Sequence, residues 1–491
     1  MYRKDWLSKW AIYSPDKVAI TESESGRKIT YQNMNNQANF LANKWIEQEL
    51  QFGDRIMILA EHCIEYVVLF SLAQKTGITL VPINYRLSTQ EVDFLIKDAG
   101  PKLLVVERKF EHLIKDRPEN LKVVWMEDLA DTLKSATSSH FTSLEIDEDH
   151  PLFILYTSGT TGFPKGAIYS HKMLLWNSIN TSQSLEITPT DHTISCMPAF
   201  HTGGWNVLLT PLLHRGGSVS LMKKFDPDLL LKQLEATKSQ LFMGVPTMLK
   251  MMAESEYFDQ VNLSNMRYFI VGGEALPLDV IRTWHDKGVK IRQGYGLTEV
   301  GPNLTSLHQR EAERKMGSIG LPNFYTDLKI LTADGREAKN DEIGELCFSG
   351  PLVTPGYWQN KKATNEALTD GWFRTGDLAK MDAEGFLYIV DRIKCMFISG
   401  GENVYPAEVE RVIRLLPQVD EVAVIGVPDE KWGEVGKAFL TTKNNSTIEL
   451  EELTLHVEKH LAKFKVPRHL EVLTAIPKNE SGKIDRKLLK A

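Results

Sequence analysis

Short runs of β-branched and other apolar residues alternate with longer segments of helical periodicity through the first 150 residues. RIMILA (55–60), ITLVPI (78–83), PKLLVVE (101–107) and KVVWM (122–126) predict strands, and residues 63–76 predict a helix between the first two. Such alternation is typical of helices layered on a largely parallel sheet. We therefore predict an α/β fold for this part of the chain.

The same rhythm resumes in residues 229–296 and then changes at about residue 327. There, TDLKILTADGREA (326–338) and GELCFSGP (344–351) predict hairpin strands, with Asp334-Gly335 as a turn. A β-rich subdomain is expected in this region.

The last hundred residues have a small α/β pattern of their own, in which residues 408–463 predict a helix, two strands and a second helix. A domain boundary is predicted at about residue 393. The predicted architecture is multidomain, with a large N-terminal domain (1–393) of layered α/β subdomains plus the β-rich subdomain. A small C-terminal α/β domain (394–491) follows it.

The 491 residues are 42% hydrophobic and 25% charged, with a formal net charge of −7. This is an ordinary globular composition, and its acidic balance argues against nucleic acid as the main partner. Residues 460–491 reverse that balance, with eight Lys and Arg against three acids. This basic tail is either a solvated surface or a lobe that meets a polyanionic ligand.

The four cysteines, at positions 63, 196, 347 and 395, are too far apart in sequence for a zinc or redox pair. Isolated thiols are typical of a reducing compartment. The N-terminal segment has no apolar run followed by a cleavage site, and no stretch reaches the about 20 apolar residues of a membrane span. We expect a cytoplasmic protein without a transmembrane segment, and peripheral membrane contact stays open.

Residues 156–166, YTSGTTGFPKG, have the hydroxyls, glycines and lysine of a phosphate-binding loop. They do not fit the P-loop pattern, because counting from Gly159 places Pro164 where the second glycine belongs. A tight structural turn is the alternative. The other motifs along the chain must decide what this loop does.

Seven further polar motifs follow that loop in order. They are PAFHTGG (198–204), VGGE (271–274), QGYGLTE (293–299), GELCFSGP (344–351), GWFRTGD (371–377), DRIKCMFISGGENVYPAEVE (391–410) and PKNESGK (477–483). With these motifs the sequence resembles the adenylate-forming superfamily of acyl-CoA synthetases, peptide-synthetase adenylation domains and luciferases. The resemblance covers essentially the whole chain and is greatest to the medium- and long-chain fatty acyl-CoA synthetases.

The resemblance implies a large domain that binds ATP and the acid, and a small mobile C-terminal domain. It also implies two steps: a carboxylate attacks the α-phosphate of ATP to give acyl-AMP and pyrophosphate, and a thiol then displaces AMP. Attack of one anion on another requires charge neutralisation and alignment. The implied cofactors are ATP, Mg²⁺ and CoA.

The ATP site implied by the resemblance draws on most of the motifs. Thr157 and Glu299 would hold Mg²⁺, which makes Glu299 part of the implied catalytic set; Tyr295 would stack on adenine and Asp377 would accept the ribose hydroxyls. Each residue also has a plain structural interpretation. The implied ATP/AMP-binding set is Thr157, Ser158, Gly159, Thr160, Thr161, Lys165, Gly273, Glu274, Tyr295, Gly296, Thr298, Asp377, Arg392 and Lys483.

Lys483 in PKNESGK is implied to be catalytic, bridging the attacking carboxylate and the α-phosphate. One lysine cannot stay in place while the thiol approaches, so the small domain is expected to rotate about a hinge at Lys394. The loop with Gly400 and Gly401 would then enter and leave room for a narrow thiol arm.

Fewer residues indicate the identity of the carboxylic acid substrate and of the thiol acceptor than indicate the ATP site. His201, also in the implied catalytic set, stands where amino-acid-activating domains place an aspartate, so an amino-acid substrate is disfavoured. Trp205 corresponds to a gate of the acyl tunnel in long-chain enzymes, or is a core aromatic. The implied acyl pocket is His201, Trp205 and Gly301. The implied CoA and thiol-tunnel contacts are Gly400, Gly401, Trp432, Phe464, Arg468 and Arg86.

We therefore predict an acid–thiol ligase, an ATP-dependent acyl-CoA synthetase that acts on a medium- or long-chain fatty acid. One alternative is an aryl-CoA ligase of the benzoate, coumarate or o-succinylbenzoate type, and another is an enzyme that loads a carrier protein. Many relatives dimerise, so a homodimer also stays open.

Overall fold

A computed structural model describes residues 5–47, 50–136, 140–157, 164–273, 276–399, 402–443, 446–479 and 482–490. Its internal contacts divide the chain into two compact units. One unit comprises Met1–Leu328 and Phe348–Phe373, and the other comprises Lys329–Cys347 and Arg374–Ala491. The functional boundary at residue 393 concerns domain movement and stays a prediction.

The first unit is built from alternating helices and strands, numbered here in chain order. The helices are α1 (Trp6–Tyr13), α2 (Tyr31–Glu47), α3 (Ile64–Thr76), α4 (Thr89–Ala99), α5 (Met126–Lys134), α6 (His171–Ser184), α7 (Thr202–Asn206), α8 (Leu209–Arg215), α9 (Pro227–Ala236), α10 (Pro246–Ala253), α11 (Leu278–Asp286) and α12 (Lys361–Ala367). The strands are β1 (Val18–Glu22), β2 (Lys28–Thr30), β3 (Arg55–Leu59), β4 (Thr79–Pro82), β5 (Leu103–Val106), β6 (Lys122–Trp125), β7 (Pro151–Thr157), β8 (Lys165–Ser170), β9 (His192–Ser195), β10 (Ser218–Leu221), β11 (Leu241–Gly244), β12 (Tyr268–Val271), β13 (Ile291–Leu297), β14 (Gly301–Ser306) and β15 (Leu321–Pro322).

Two sheets organise this unit. One has the order β15-β14-β13-β12-β11-β9-β10-β1-β2, and the other has the order β6-β5-β3-β4-β7-β8. The central strands are parallel, whereas β1–β2, β13–β14, β14–β15 and β7–β8 are antiparallel pairs. Carboxyl ends of parallel strands share one edge of a sheet, and polar motifs follow β7, β9, β12 and β13 at such ends.

Helix α3 is a buried helix of the first unit that contacts strands of both sheets. Every residue of α3 is buried, and the helix contacts β1 of one sheet and β4 of the other. Its Lys75 ammonium lies 2.8 Å from the Asp5 carboxylate and also donates to Ser8 and Asn35. A buried charge is costly unless it is paired and hydrogen-bonded, so these partners allow a lysine within a core helix.

The predicted strands and helix of residues 55–126 are confirmed as β3, α3, β4, β5 and β6. The apolar residues of β3, β4 and β5 are buried, as expected for strands covered on both faces, whereas those of the edge strand β6 are half-buried. The alternation expected in residues 229–296 is also confirmed. Its first helix is α9, which begins after Asp226, whose side chain accepts a hydrogen bond from the Leu229 amide.

A third sheet has the order β16-β17-β19-β18, with β20 paired to β19. Its strands are β16 (Asp327–Leu331), β17 (Gly344–Ser349), β18 (Leu368–Thr369), β19 (Trp372–Met381) and β20 (Leu387–Arg392). The β-rich region expected from residue 327 onward is therefore confirmed.

The C-terminal part of the second unit has its own sheet and core. The sheet has the order β22-β21-β24-β23, with β25 paired to β24. Its strands are β21 (Phe397–Ser399), β22 (Glu402–Val404), β23 (Val419–Asp429), β24 (Gly433–Thr442) and β25 (His469–Val472), and its helices are α13 (Pro406–Ile413), α14 (Leu450–Glu458) and α15 (Arg486–Lys490). The apolar residues of α13, α14, β23 and β24 form a separate hydrophobic cluster.

Within the described ranges, no helix combines the length and apolarity that crossing a membrane requires. The four cysteines all lie in those ranges and are free thiols.

Candidate active site

The hairpin of β7 and β8 carries the polar loop of residues 156–166. Thr157 and Lys165 are paired at its open end. The Thr157 hydroxyl lies 3.3 Å from Glu299 Oε1, and the Lys165 ammonium lies 5.4 Å from the centre of the Tyr357 ring. The structure therefore brings together the two residues that the sequence implied as metal ligands.

Glu299 lies in the 3₁₀ turn Thr298–Val300, between β13 and β14. Gly296 allows this tight connection, because a Cβ at that position would lie 2.3 Å from the Pro302 carbonyl carbon. The Thr354 amide donates to the Glu299 carbonyl at 2.7 Å, which fixes the main chain of the turn.

These two side chains suit a magnesium ion held together with phosphate. Mg²⁺ favours one or two carboxylates plus phosphate and water, and neighbouring ligands of its octahedron lie about 3 Å apart. The 3.3 Å between the Thr157 and Glu299 oxygens is close to that spacing. Among the described residues no group of three or more His, Cys, Asp or Glu could hold a metal alone.

Tyr357 is a residue of this site that the sequence analysis missed. Its hydroxyl donates to Glu299 Oε1 at 3.0 Å. Burial raises its pKa, and the neighbouring Glu299 carboxylate raises it further, so the hydroxyl stays protonated as a donor. The segment Pro355-Gly356-Tyr357 has the sequence of an ordinary turn, so no local signal distinguishes Tyr357.

Residues implied in adenine binding lie at the ends of β12 and β13. The Tyr295 ring stacks with the Phe348 ring at a centroid distance of 6.0 Å. Gly273 follows β12 with φ of +89°, a conformation that favours glycine. An aromatic face and a glycine turn at adjacent strand ends are suited to a flat base.

His201, Phe200, Tyr85 and Arg86 form a cluster in the first unit. The Phe200 ring lies 4.5 Å from the His201 ring and 5.2 Å from the Tyr85 ring. The Arg86 guanidinium lies 5.8 Å from the Phe200 ring. A residue implied in acyl binding and one implied in CoA binding are therefore linked through two aromatic rings.

Trp205 is fully buried, and its indole N–H donates to the Ala199 carbonyl at 2.8 Å. Four rings lie between 5.3 and 5.6 Å from it, those of His62, Tyr66, Phe70 and Phe153. This is the environment of a core aromatic, the second of the two interpretations that the sequence left open. A gating role would require this packing to rearrange.

Gly301, implied in the acyl pocket, faces a buried amide. A Cβ at this position would lie 3.3 Å from Asn177 Oδ1. That oxygen is buried and accepts no hydrogen bond from any described residue, whereas the amide nitrogen of Asn177 donates to the Asn206 carbonyl at 2.7 Å. A hydrogen-bond acceptor is therefore available beside Gly301.

In the second unit, Asp377 and Arg392 lie opposite one another on the antiparallel strands β19 and β20. The Arg392 guanidinium contacts the Asp377 carboxylate at 2.9 Å. Asp377 is 5% exposed and Arg392 is 58% exposed. The strand pairing thus brings together the two residues implied in ribose and phosphate contacts.

Glu345 positions the strand that carries Asp377. It forms an ion pair with Arg374 and accepts from the Gly376 amide at 3.0 Å. The Thr375 hydroxyl also accepts from the Asp377 amide at 3.0 Å. These contacts fix the GWFRTGD segment, and Glu345 is a second residue that the sequence analysis did not select.

The residues implied in CoA binding in the C-terminal part fall into two groups. The Arg468 guanidinium lies 5.2 Å from the Trp432 ring, so these two are together. Phe464 lies in the 3₁₀ turn Lys463–Lys465 and packs against the C-terminal core. Lys394 lies in the turn between β20 and β21, a location compatible with the implied hinge.

Lys483 is exposed and lies at the end of a tight turn. Its amide donates to Asn479 Oδ1 at 3.1 Å, and its carbonyl accepts from the Asn479 amide at 2.7 Å. Gly482 has φ of +82°, which lets the turn close. Seven other implied site residues lie outside the described ranges: Ser158, Gly159, Thr160, Thr161, Glu274, Gly400 and Gly401.

Family models match most of this chain. A family model described as "AMP-binding enzyme" matches residues 7–358, and one described as "AMP-binding enzyme C-terminal domain" matches residues 408–483. A feruloyl-CoA synthase of Amycolatopsis sp is 34% identical over 485 residues, 98% of this chain and 96% of that protein. The long-chain-fatty-acid–CoA ligase FadD13 of Mycobacterium tuberculosis is 34% identical over 491 residues, 99% of this chain and 97% of that protein.

Solved structures are similar over almost the whole chain. The o-succinylbenzoate CoA synthetase (MenE) of Bacillus subtilis, in complex with its acyl-adenylate intermediate, gives a TM-score of 0.90 at 30% identity and covers 99% of this chain and 98% of that one. The same synthetase in complex with ATP and magnesium ion gives a TM-score of 0.89 at 29% identity and covers 99% of each chain.

Proposed function

Because this chain belongs to the AMP-binding enzyme family, as an AMP-forming acid–thiol ligase that uses ATP, Mg²⁺ and CoA, we propose that it activates a medium- or long-chain fatty acid at the Glu299 site. The observation that supports this location is the approach of Thr157 and Lys165 on one hairpin to Glu299 and Tyr357 on other segments. Those groups combine the donors, cation and carboxylate that ATP with a divalent ion requires.

In the first step, Thr157 and Glu299 hold Mg²⁺, which neutralises phosphate charge when bound. Lys165 adds a positive charge beside the departing pyrophosphate, together with the loop residues Ser158, Gly159, Thr160 and Thr161. Tyr295 stacks on adenine, and the other residues proposed to bind the nucleotide are Gly273, Glu274, Gly296 and Thr298. These contacts hold the nucleotide while the acid carboxylate attacks the α-phosphate.

Four further residues are proposed for the adenylation step. Asp377 accepts the ribose hydroxyls, since a carboxylate is an acceptor only, and Arg392 contacts ribose or phosphate. Lys483 bridges the attacking carboxylate and the α-phosphate, where negative charge accumulates. His201 borders the reacting carboxylate.

Thioester formation then requires Lys483 to leave. We place the moving domain at residues 394–491 and its hinge at Lys394, with Gly400 and Gly401 entering beside the thiol. Arg86, Trp432, Phe464 and Arg468 contact the CoA nucleotide. Arg86 over an aromatic ring and Arg468 near Trp432 are suited to a flat, polyanionic ligand.

The fatty acid is favoured by the 34% identity to FadD13 over 99% of this chain. The aromatic rings of Tyr85 and Phe200 beside His201 provide an apolar wall for the acyl group. Of the residues proposed for the acyl pocket, His201, Trp205 and Gly301, Trp205 is fully buried.

An aromatic acid is the second candidate, and two observations favour it. The feruloyl-CoA synthase is as similar as FadD13 in percentage identity. The buried side-chain oxygen Oδ1 of Asn177, beside Gly301, accepts no hydrogen bond within the described residues. An acceptor at this place suits a phenolic or amide donor on the acid better than a hydrocarbon chain.

A pyrophosphate-release panel distinguishes the two candidates. Purified enzyme with ATP, Mg²⁺ and CoA is tested against fatty acids of 6–18 carbons, hydroxycinnamates, benzoates and o-succinylbenzoate, with amino acids as negative controls. We expect kcat/KM for one fatty acid to exceed that for every aromatic acid at least tenfold. Preference for a hydroxycinnamate would reverse the assignment, and no acid-dependent release would contradict the Glu299 site itself.

A Trp205 variant tests whether this side chain controls which acids are accepted. If Trp205 gates an acyl tunnel, Trp205→Phe shifts the preferred chain length while the free energy of unfolding changes by less than about 2 kcal/mol. If Trp205 is only a core aromatic, stability falls and the order of preferred acids is unchanged.

A further inference from the structure

The carboxylate of Glu299 is held by two hydroxyl groups from distant parts of the chain. Tyr357 donates to Oε1 at 3.0 Å and the Thr157 hydroxyl lies 3.3 Å from the same oxygen. Within the described residues, Oε2 of Glu299 accepts no hydrogen bond, and no cationic side chain lies within 4 Å of this carboxylate. The two described contacts that orient Glu299 are therefore both neutral donors.

Tyr357 is itself fixed by main-chain contacts. Its amide donates to the Thr364 hydroxyl of α12 at 2.9 Å. On either side of it, the Trp358 amide donates to the Gly166 carbonyl at 2.7 Å and the Gly356 carbonyl accepts from the Ile168 amide at 3.1 Å. The tyrosine is thus attached to β8, the strand that begins with Lys165.

The same ring also borders the phosphate-binding lysine. The Lys165 ammonium lies 5.4 Å from the ring centre, within the range of a cation–π contact. The Tyr357 ring is in contact with the Lys165 ammonium, and the Tyr357 hydroxyl is in contact with the Glu299 carboxylate. One side chain therefore sets the spacing between the groups proposed for phosphate and for the metal.

We propose that Tyr357 is a positioning residue for the metal: its hydroxyl holds Glu299 Oε1 so that the carboxylate is presented to the divalent cation beside the Thr157 hydroxyl. The inference rests on the proposed role of Glu299. A neutral donor suits this task, because a lysine or arginine in its place would form an ion pair that competes with the cation. Ligand-orienting hydrogen bonds of this kind commonly change metal affinity 10- to 100-fold.

The test uses Tyr357→Phe, which removes the hydroxyl and keeps the ring beside Lys165. Mn²⁺ binding to the enzyme–ATP complex is measured by electron paramagnetic resonance without any acid, so no turnover is needed. We expect the Mn²⁺ dissociation constant to rise 5- to 30-fold and the half-saturating Mg²⁺ for pyrophosphate release to rise in parallel. Thioester formation from supplied acyl-AMP should change less than twofold, because that step does not use the cation.

Tyr156→Phe is the matched control, since the Tyr156 hydroxyl also donates to a carboxylate, that of Asp98 at 2.5 Å, on the same hairpin. Its Mn²⁺ dissociation constant should stay within twofold of that of the unmodified protein. Thermal unfolding of both variants shows whether the fold is retained. The contrary outcome is a Tyr357→Phe variant that lowers the rates of both half-reactions and the thermal stability together while Mn²⁺ binding is unchanged. That result would show that Tyr357 has only a structural role.

The Glu299→Gln variant distinguishes the positioning role proposed for Tyr357 from the metal-binding role proposed for Glu299. If Glu299→Gln weakens Mn²⁺ binding and Tyr357→Phe does not, the positioning inference is wrong and the Glu299 site stands. If neither variant changes Mn²⁺ binding, the proposed metal role of Glu299 is wrong as well.

Discussion

Two carboxylates, one in each unit, are held by different kinds of partner. Glu299 receives hydroxyl groups from Tyr357 and Thr157, whereas Asp377 forms an ion pair with Arg392 at 2.9 Å. Hydroxyl donors orient a carboxylate and leave its charge in place. An arginine orients it as well but offsets that charge.

The difference matches what each acid is proposed to bind. A divalent cation is attracted by the full negative charge of its ligand, so an ionic partner at Glu299 would weaken it. Ribose hydroxyls are neutral donors and need only accepting lone pairs, which Asp377 retains beside Arg392. The partners of a carboxylate in the free protein thus indicate the charge of its ligand.

The largest effect that tests this comparison is expected for Glu299→Gln. The amide keeps the shape but loses the charge that binds the cation, so pyrophosphate release should fall by about 10³-fold. Titration of Mg²⁺ at saturating ATP measures it, and excess Mg²⁺ should restore part of the rate. An unchanged Mg²⁺ dependence would remove the distinction between the two acids.

Lys483→Ala should have the next largest effect, a loss of about 10²- to 10³-fold in acyl-AMP formation. Thioester formation from supplied acyl-AMP should stay within threefold, because the lysine is proposed to act only in the first step. Lys487→Ala, which removes another exposed lysine of the same basic tail, is the control and should leave both half-reactions unchanged. Equal losses in both half-reactions of Lys483→Ala would instead indicate a structural role.

The layered sheets could be predicted from sequence because burial of strands leaves a local signature. Residues 56–59 and 103–106 are apolar throughout, and they form most of β3 and all of β5. The pairing of Thr157 with Glu299 followed from a resemblance that carries spatial information. Local pattern alone does not give it, because 142 positions separate the two residues.

Tyr357 and Asn177 could not be found in the same way. Their importance depends on where a side chain points after the sheets have packed, and neither residue differs locally from an ordinary turn tyrosine or helix amide. The dual interpretation of Trp205 has the same origin: its sequence context fits a gate, and its surroundings of four rings fit a core residue.

The smallest effect belongs to Arg392→Met, which leaves Asp377 without its ionic partner. Arg392 is 58% exposed, and exposed ion pairs contribute at most about 1 kcal/mol, so the KM for ATP should rise only about two- to fivefold. Raising the salt concentration should narrow the gap between the variant and the unmodified protein, since solvent-exposed charges are screened. The half-saturating Mg²⁺ should not move, because the cation is held by the other carboxylate. A shift in Mg²⁺ dependence would mean that Asp377, too, acts through its charge on the metal, and the contrast between the two acids would fail.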